Sequence, residues 1–157
     1  MIQRRLSLVS KSAAIVAPAP GQGDPTQLGG VLRVANPLTG DDDVRYRLPA
    51  SGWTGVGRPA GAKGYQYTDK RGANGPCTSV LVEPGKKIDA TCAGSGFAFT
   101  LNEPAQELVA ASLTLGDDPT LCMQFGGVVK RDVPAQDGTA GLFKAEDAPP
   151  PESCPLP

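Results

Sequence analysis

A chain of 157 residues with a formal charge of −1, no histidine and four cysteines is long enough to bury one sizeable core and no more. Its lysines and arginines are scattered among aspartates and glutamates, which leaves no field to attract nucleic acid or an anionic membrane. The missing histidines exclude the commonest general base, the commonest zinc ligand and the usual middle member of a nucleophile triad.

Twenty glycines and sixteen prolines, spread without a collagen-like period, predict many short strands joined by tight turns and little or no helix. Near the N-terminus, LSLVSKSAAIVAPAP resembles a leader, but Lys11 interrupts the apolar run a leader needs. Leu6 and Leu8 alternate with Ser7, so residues 3–10 are predicted to form the first strand. The segment IVAPAPGQGDPTQLGG is rich in Pro, Gly and polar residues and is expected to be a long surface connection. Residues 31–35 form a short strand stopped by Asn36-Pro37. The run 44–48 has a period of two that sends Val44, Tyr46 and Leu48 inward and Arg45 and Arg47 into water. After Pro49 comes a glycine-rich loop with the only tryptophan, Trp53, and then an alternating strand with Tyr65 and Tyr67.

The stretch GPCTSVLVEPGKKIDATCAGSGFAFTL organises the rest. A turn at Pro84-Gly85 that pairs Glu83 with Lys86 sets Leu81 opposite Ile88, Ser79 opposite Ala90 and Cys77 opposite Cys92. Directly opposed Cα atoms lie about 4.5–5.5 Å apart, within reach of a disulfide. This register predicts Cys77, Ser79, Leu81, Ile88, Ala90 and Cys92 on one face, with Val80 and Val82 on the other. Further alternating runs follow at 97–101, 107–115 and 121–125, then strands at 128–133 and 142–145. The tail APPPESCPLP suits neither helix nor central strand. With Cys77 and Cys92 matched, elimination pairs Cys122 with Cys154, which clamps residues 146–157 and closes a loop of about thirty residues, worth roughly 3–4 kcal/mol.

These elements predict one all-β domain over residues 1–157, an antiparallel two-sheet β-sandwich of jelly-roll-like or immunoglobulin-like topology stapled by two disulfides. Two disulfides imply an oxidising compartment, hence a secreted or cell-surface location. No apolar stretch is long enough for a membrane helix.

Three constellations invite chemistry. Asp41, Asp42 and Asp43 offer oxygens to calcium, but a calcium loop spaces its carboxylates at alternate positions, so an Asp-rich turn is the favoured reading and no metal is expected. Trp53, Tyr65 and Tyr67 could form an aromatic platform for a sugar, against the commoner reading that they fill the core. Glu83, Glu103, Glu107 and the aspartates are the only material for a glycosidase-type carboxylate pair, and most sit in turns or on polar strand faces. No catalytic residue and no cofactor is predicted.

The series LPASGWTGVGRPAGAKGYQYTDK, GPCTSVLVEPGKKIDATCAGSG, FTLNEPAQ, LTLG, LCMQFGG, VKRD and APPPESCP resembles a four-cysteine β-domain of large, uncharacterised secreted or surface proteins of bacteria. The resemblance runs from about Leu6 to the C-terminus. It implies a non-catalytic extracellular module, one of several in a parent polypeptide, and carries over no functional residue. The expectation is therefore a structural or adhesive β module with a protein or glycan partner at the cell surface, or with itself in a fibre. A carbohydrate-binding module is the alternative, and a carboxylate-dependent glycan-cleaving enzyme comes third.

Overall fold

The computed structural model describes residues 4–21, 23–36, 44–94, 109–117, 120–125, 128–133 and 141–146. Eleven strands, one short α-helix and one 3-10 turn (Ala50–Gly52) are described: β1 (Arg4–Lys11), α1 (Pro25–Leu28), β2 (Gly30–Ala35), β3 (Val44–Leu48), β4 (Trp53–Gly55), β5 (Tyr65–Thr68), β6 (Cys77–Glu83), β7 (Lys87–Gly94), β8 (Val109–Leu115), β9 (Leu121–Phe125), β10 (Val128–Val133) and β11 (Gly141–Glu146). They form a seven-stranded sheet in the order β10-β11-β1-β7-β6-β5-β4 and a four-stranded sheet in the order β3-β2-β8-β9. Pairing is antiparallel except between β1 and β11, which run parallel. The expected all-β, two-sheet architecture is observed. The expected strand at 97–101 lies outside the described residues.

The two sheets share one core. Leu6, Leu8, Val80, Val82, Ile88 and Ala90 from the larger sheet meet Leu32, Val34, Leu48, Ala111, Leu113 and Leu115 from the smaller in a single buried cluster. The period-two pattern explains this, since alternate residues of each strand reach the same face. Each fully buried Leu or Ile contributes about 1.5–3 kcal/mol relative to exposure.

The β6–β7 hairpin corrects the predicted register. Glu83 faces Lys87, not Lys86, and Val82 faces Ile88. The turn residues Pro84, Gly85 and Lys86 lie between the paired positions, with Lys86 N–H donating to the Glu83 carbonyl at 3.1 Å. Gly85 supplies the φ of 69° that a type II turn requires after proline. A bulge between Cys77 and Ser79 then absorbs one residue, so that Cys77 still lies opposite Cys92 and the disulfide forms, with Cα atoms 3.8 Å apart. The consequence is a change of face: Val80 and Val82 are buried, while Ser79 and Leu81 are only partly covered. A one-residue slip sends the other set of side chains inward, and a bulge allows both halves of a strand to choose their own face. Val80 and Val82 bury more apolar surface than Ser79 and Leu81 would, and the bulge keeps that gain together with the disulfide.

The connection at 15–30 is also corrected, because it does not simply run over the surface. Ile15 enters the core cluster, and Pro18, Asp24 and Pro25 are buried. The Gly85 N–H donates to the Ile15 carbonyl at 2.7 Å, and the Tyr65 hydroxyl donates to the Pro18 carbonyl at 2.9 Å. Asp24 caps α1, accepting from the Thr26 N–H at 2.7 Å and from the Gly21 N–H at 2.8 Å. Such a connection can be buried because its backbone groups find partners.

Cys122 is disulfide-bonded, and its expected partner Cys154 lies outside the described residues. No helix among the described residues is long and apolar enough to cross a membrane.

Candidate functional site

The aromatic residues are not a platform. Trp53 is 4% exposed and Tyr65 and Tyr67 are each 1% exposed. Trp53 belongs to β4 of the larger sheet, yet its indole N–H donates to the carbonyl of Leu48 in the smaller sheet at 3.0 Å. Its ring also packs against that of Tyr67 at 5.5 Å between centroids. Trp53 thus ties the two sheets together, and none of the three rings has a face left for a sugar. Large aromatics gain most where they are fully covered and their polar atom finds a partner.

The acidic residues disperse as well. Glu83 is held by Lys86 at 3.2 Å and Lys87 at 3.9 Å, Asp24 is the cap of α1 and Asp69 organises a turn. The Asp69 carboxylate accepts from the Asn74 N–H at 2.8 Å and the Ala73 N–H at 3.1 Å. Those bonds, led by the one from Asn74, hold its pKa below the usual carboxylate value against the opposing effect of burial. At Asp24, burial pushes the carboxyl up, but bonds from Thr26, Gly21 and Gln27 together outweigh it and leave the pKa lowered. No group of three or more His, Cys, Asp or Glu side chains that could hold a metal occurs among the described residues. Asp41, Asp42, Asp43, Glu103 and Glu107 lie outside them.

What the fold does bring together is basic. On β3, Tyr46 and Leu48 point into the core, and Arg45 and Arg47 are exposed on the outer face, as their alternation predicts. On β2, Leu32 and Val34 point inward, so Val31 and Arg33 share that outer face. Register then sets two rows across the sheet. In one, Arg45 lies directly opposite Arg33, which lies opposite Ser112 of β8; in the other, Arg47 lies opposite Val31, which lies opposite Thr114. Rows two residues apart are separated by about 6.8 Å. Like charges directly opposed on neighbouring strands are destabilising. Arg33 is half-buried and already engaged in an interaction, which leaves Arg45 and Arg47 as the exposed pair. Among the described residues of this face there is no carboxylate. The charges that look scattered along the chain are thus gathered by strand pairing, because Arg33 and Arg45 are twelve residues apart in sequence and adjacent in space.

At one end of the same face lies a cleft of about 310 Å³, lined by Leu28, Gly29, Gly30, Val31, Arg47, Leu48, Pro49, Thr114 and Gly116. Leu28, the last residue of α1, is 54% exposed at its rim. The Thr114 hydroxyl is hydrogen-bonded to that of Thr120 at 2.9 Å. Backbone forms much of the wall: the Gly116 N–H donates to the Gly29 carbonyl at 2.9 Å. Gly116 has φ 58°, and a Cβ there would stand 1.9 Å from the Gly23 carbonyl oxygen, so only glycine lets the two chains approach. The cleft therefore offers one guanidinium, one hydroxyl and a small apolar rim. The signal in the sequence was the alternation of Arg45 and Arg47; Thr114 and the glycine-walled cleft carried none.

Comparison with family models, curated proteins and solved structures finds no match to this chain.

Proposed function

We propose that this chain is a non-catalytic structural or adhesive module of the extracellular compartment, and that it docks its partner on the outer face of the four-stranded sheet at β3, where Arg45 and Arg47 are exposed. The observation that carries this reading is the pair of exposed arginines on β3, Arg45 and Arg47, with Arg47 at the wall of an open cleft. Two guanidiniums exposed on one strand face are available to a partner that accepts hydrogen bonds or carries negative charge. The Cys77–Cys92 disulfide supports an oxidising compartment, and the resemblance to bacterial surface-protein domains points the same way. A glycan-cleaving role has less support, since Asp24 serves as a helix cap, Asp69 as a turn anchor and Glu83 as an ion-pair partner.

The test uses the oxidised chain, fluorescently labelled, incubated with intact bacterial cells and with isolated envelopes. Saturable retention that is abolished in an Arg45→Thr/Arg47→Thr variant supports the reading. Equal retention of both proteins, or none of either, overturns it. Release of reducing sugar from the envelopes would overturn its non-catalytic part.

A further inference from the structure

We infer that the partner on this face is an acidic polysaccharide, a glycan carrying carboxylate or sulfate groups at intervals along its chain, with one anionic sugar seated in the cleft beside Arg47. The inference rests on the docking face proposed above and specifies what occupies it.

The chemistry follows from the residues. A guanidinium presents a planar fork that pairs with two oxygens of a carboxylate or sulfate at once. Arg47 stands at the wall of the cleft, and Arg45 lies two residues along the same strand. A ligand seated in the cleft and running along β3 thus meets a second cation about 6.8 Å further on, which favours a polymer with repeated anions over a single small anion. The Thr114 hydroxyl, at the wall of the cleft, suits a ligand rich in hydroxyls. The volume of about 310 Å³ is at the lower end of small-molecule pockets, about 300–1,000 Å³, and admits a sugar unit more readily than a folded protein surface. Bases stack on aromatic rings, and Tyr46, Trp53, Tyr65 and Tyr67 are all buried, so none of these four offers one. The chain carries a formal charge of −1, so attraction to a polyanion comes from this local segregation and not from the net charge.

The experiment is titration of the oxidised chain at low salt with polygalacturonate, dextran sulfate, neutral dextran, poly-glutamate and single-stranded DNA. Expected is binding of one or both acidic glycans and none of neutral dextran; the carboxylate and sulfate arms tell which anion the site takes. The Arg45→Thr/Arg47→Thr variant should lose about tenfold or more in affinity, as two charge-assisted hydrogen-bonding groups are removed. A Lys63→Thr/Lys86→Thr variant removes the same charge from exposed loop positions and should change affinity by less than about twofold. An equal loss in the lysine variant, or poly-glutamate or DNA binding as tightly as the glycans, overturns the inference, as does failure of every acidic glycan to bind. If cells retain the chain through this face while no acidic glycan binds, the docking reading survives and the glycan assignment alone falls.

Discussion

The strand pairs β6–β7 and β2–β3 are built on the same antiparallel ladder, yet their opposed residues follow contrary rules. In β6–β7 the pairs that join the hairpin are complementary: Cys77 faces Cys92, Val82 faces Ile88 and Glu83 faces Lys87. In β2–β3 the central outward pair is Arg33 against Arg45. Lys11 also lies across from Lys87, but Glu83 reaches Lys87 from its other side at 3.9 Å, so that repulsion is relieved within the sheet. The difference separates what holds the molecule together from what it presents. Cross-strand pairs of opposite charge or matching shape stabilise a sheet by about 0.2–1 kcal/mol each, and like charges oppose it by a similar amount. Arg33 is half-buried and engaged, so the charge this face presents to solvent is that of Arg45 and Arg47.

That contrast can be broken at its strong end first. Cys92→Ala should lower stability by roughly 2–4 kcal/mol in chemical denaturation, because the unfolded chain is freed. A loss under about half a kcal/mol would mean that the bulged hairpin holds without its staple. Next in size is Gly116→Ala. The new Cβ meets the Gly23 carbonyl, and the residue must hold a left-handed φ, so a loss of about 2 kcal/mol is expected. Its second readout is the glycan titration, where a displaced cleft wall should weaken binding even in the folded protein.

Asp24→Ala removes the cap of α1 and should cost about 1 kcal/mol at neutral pH. Because the Asp24 pKa is lowered in the fold, its contribution is present above the unfolded value of about 3.9 and fades as pH falls through the folded value. The gap between wild type and variant should therefore close in acid; a gap that widens there would refute the assignment. Smallest, and opposite in sign, is Arg45→Thr. Relief of the Arg33–Arg45 pair should raise stability by a few tenths of a kcal/mol while polyanion affinity falls. A variant that loses stability would show that Arg45 supports the sheet and does not burden it.

Much of this was legible from local pattern. Strands with strict alternation, such as Val44–Leu48 and Tyr65–Thr68, appear where expected because side-chain period is a local property. The hairpin and its disulfide were legible too, but the faces of β6 were not. Turn chemistry alone favoured one register, while burial of Val80 and Val82 favoured the next, and a bulge reconciled them. The candidate site was half legible. The exposure of Arg45 and Arg47 follows from alternation, but the fate of Trp53 depended on the other sheet, whose Leu48 carbonyl accepts its N–H.

Composition and periodicity thus decide that this chain is all-β, disulfide-bonded and built of short alternating strands, since each of those properties depends on neighbours within a few residues. Which side of β6 is buried, why the 15–30 connection enters the core, and how Arg33, Arg45, Arg47 and Thr114 come to share one face were decided by tertiary structure. Those outcomes depend on residues distant in sequence, brought together by strand order and by the choice of register that buries the most apolar surface.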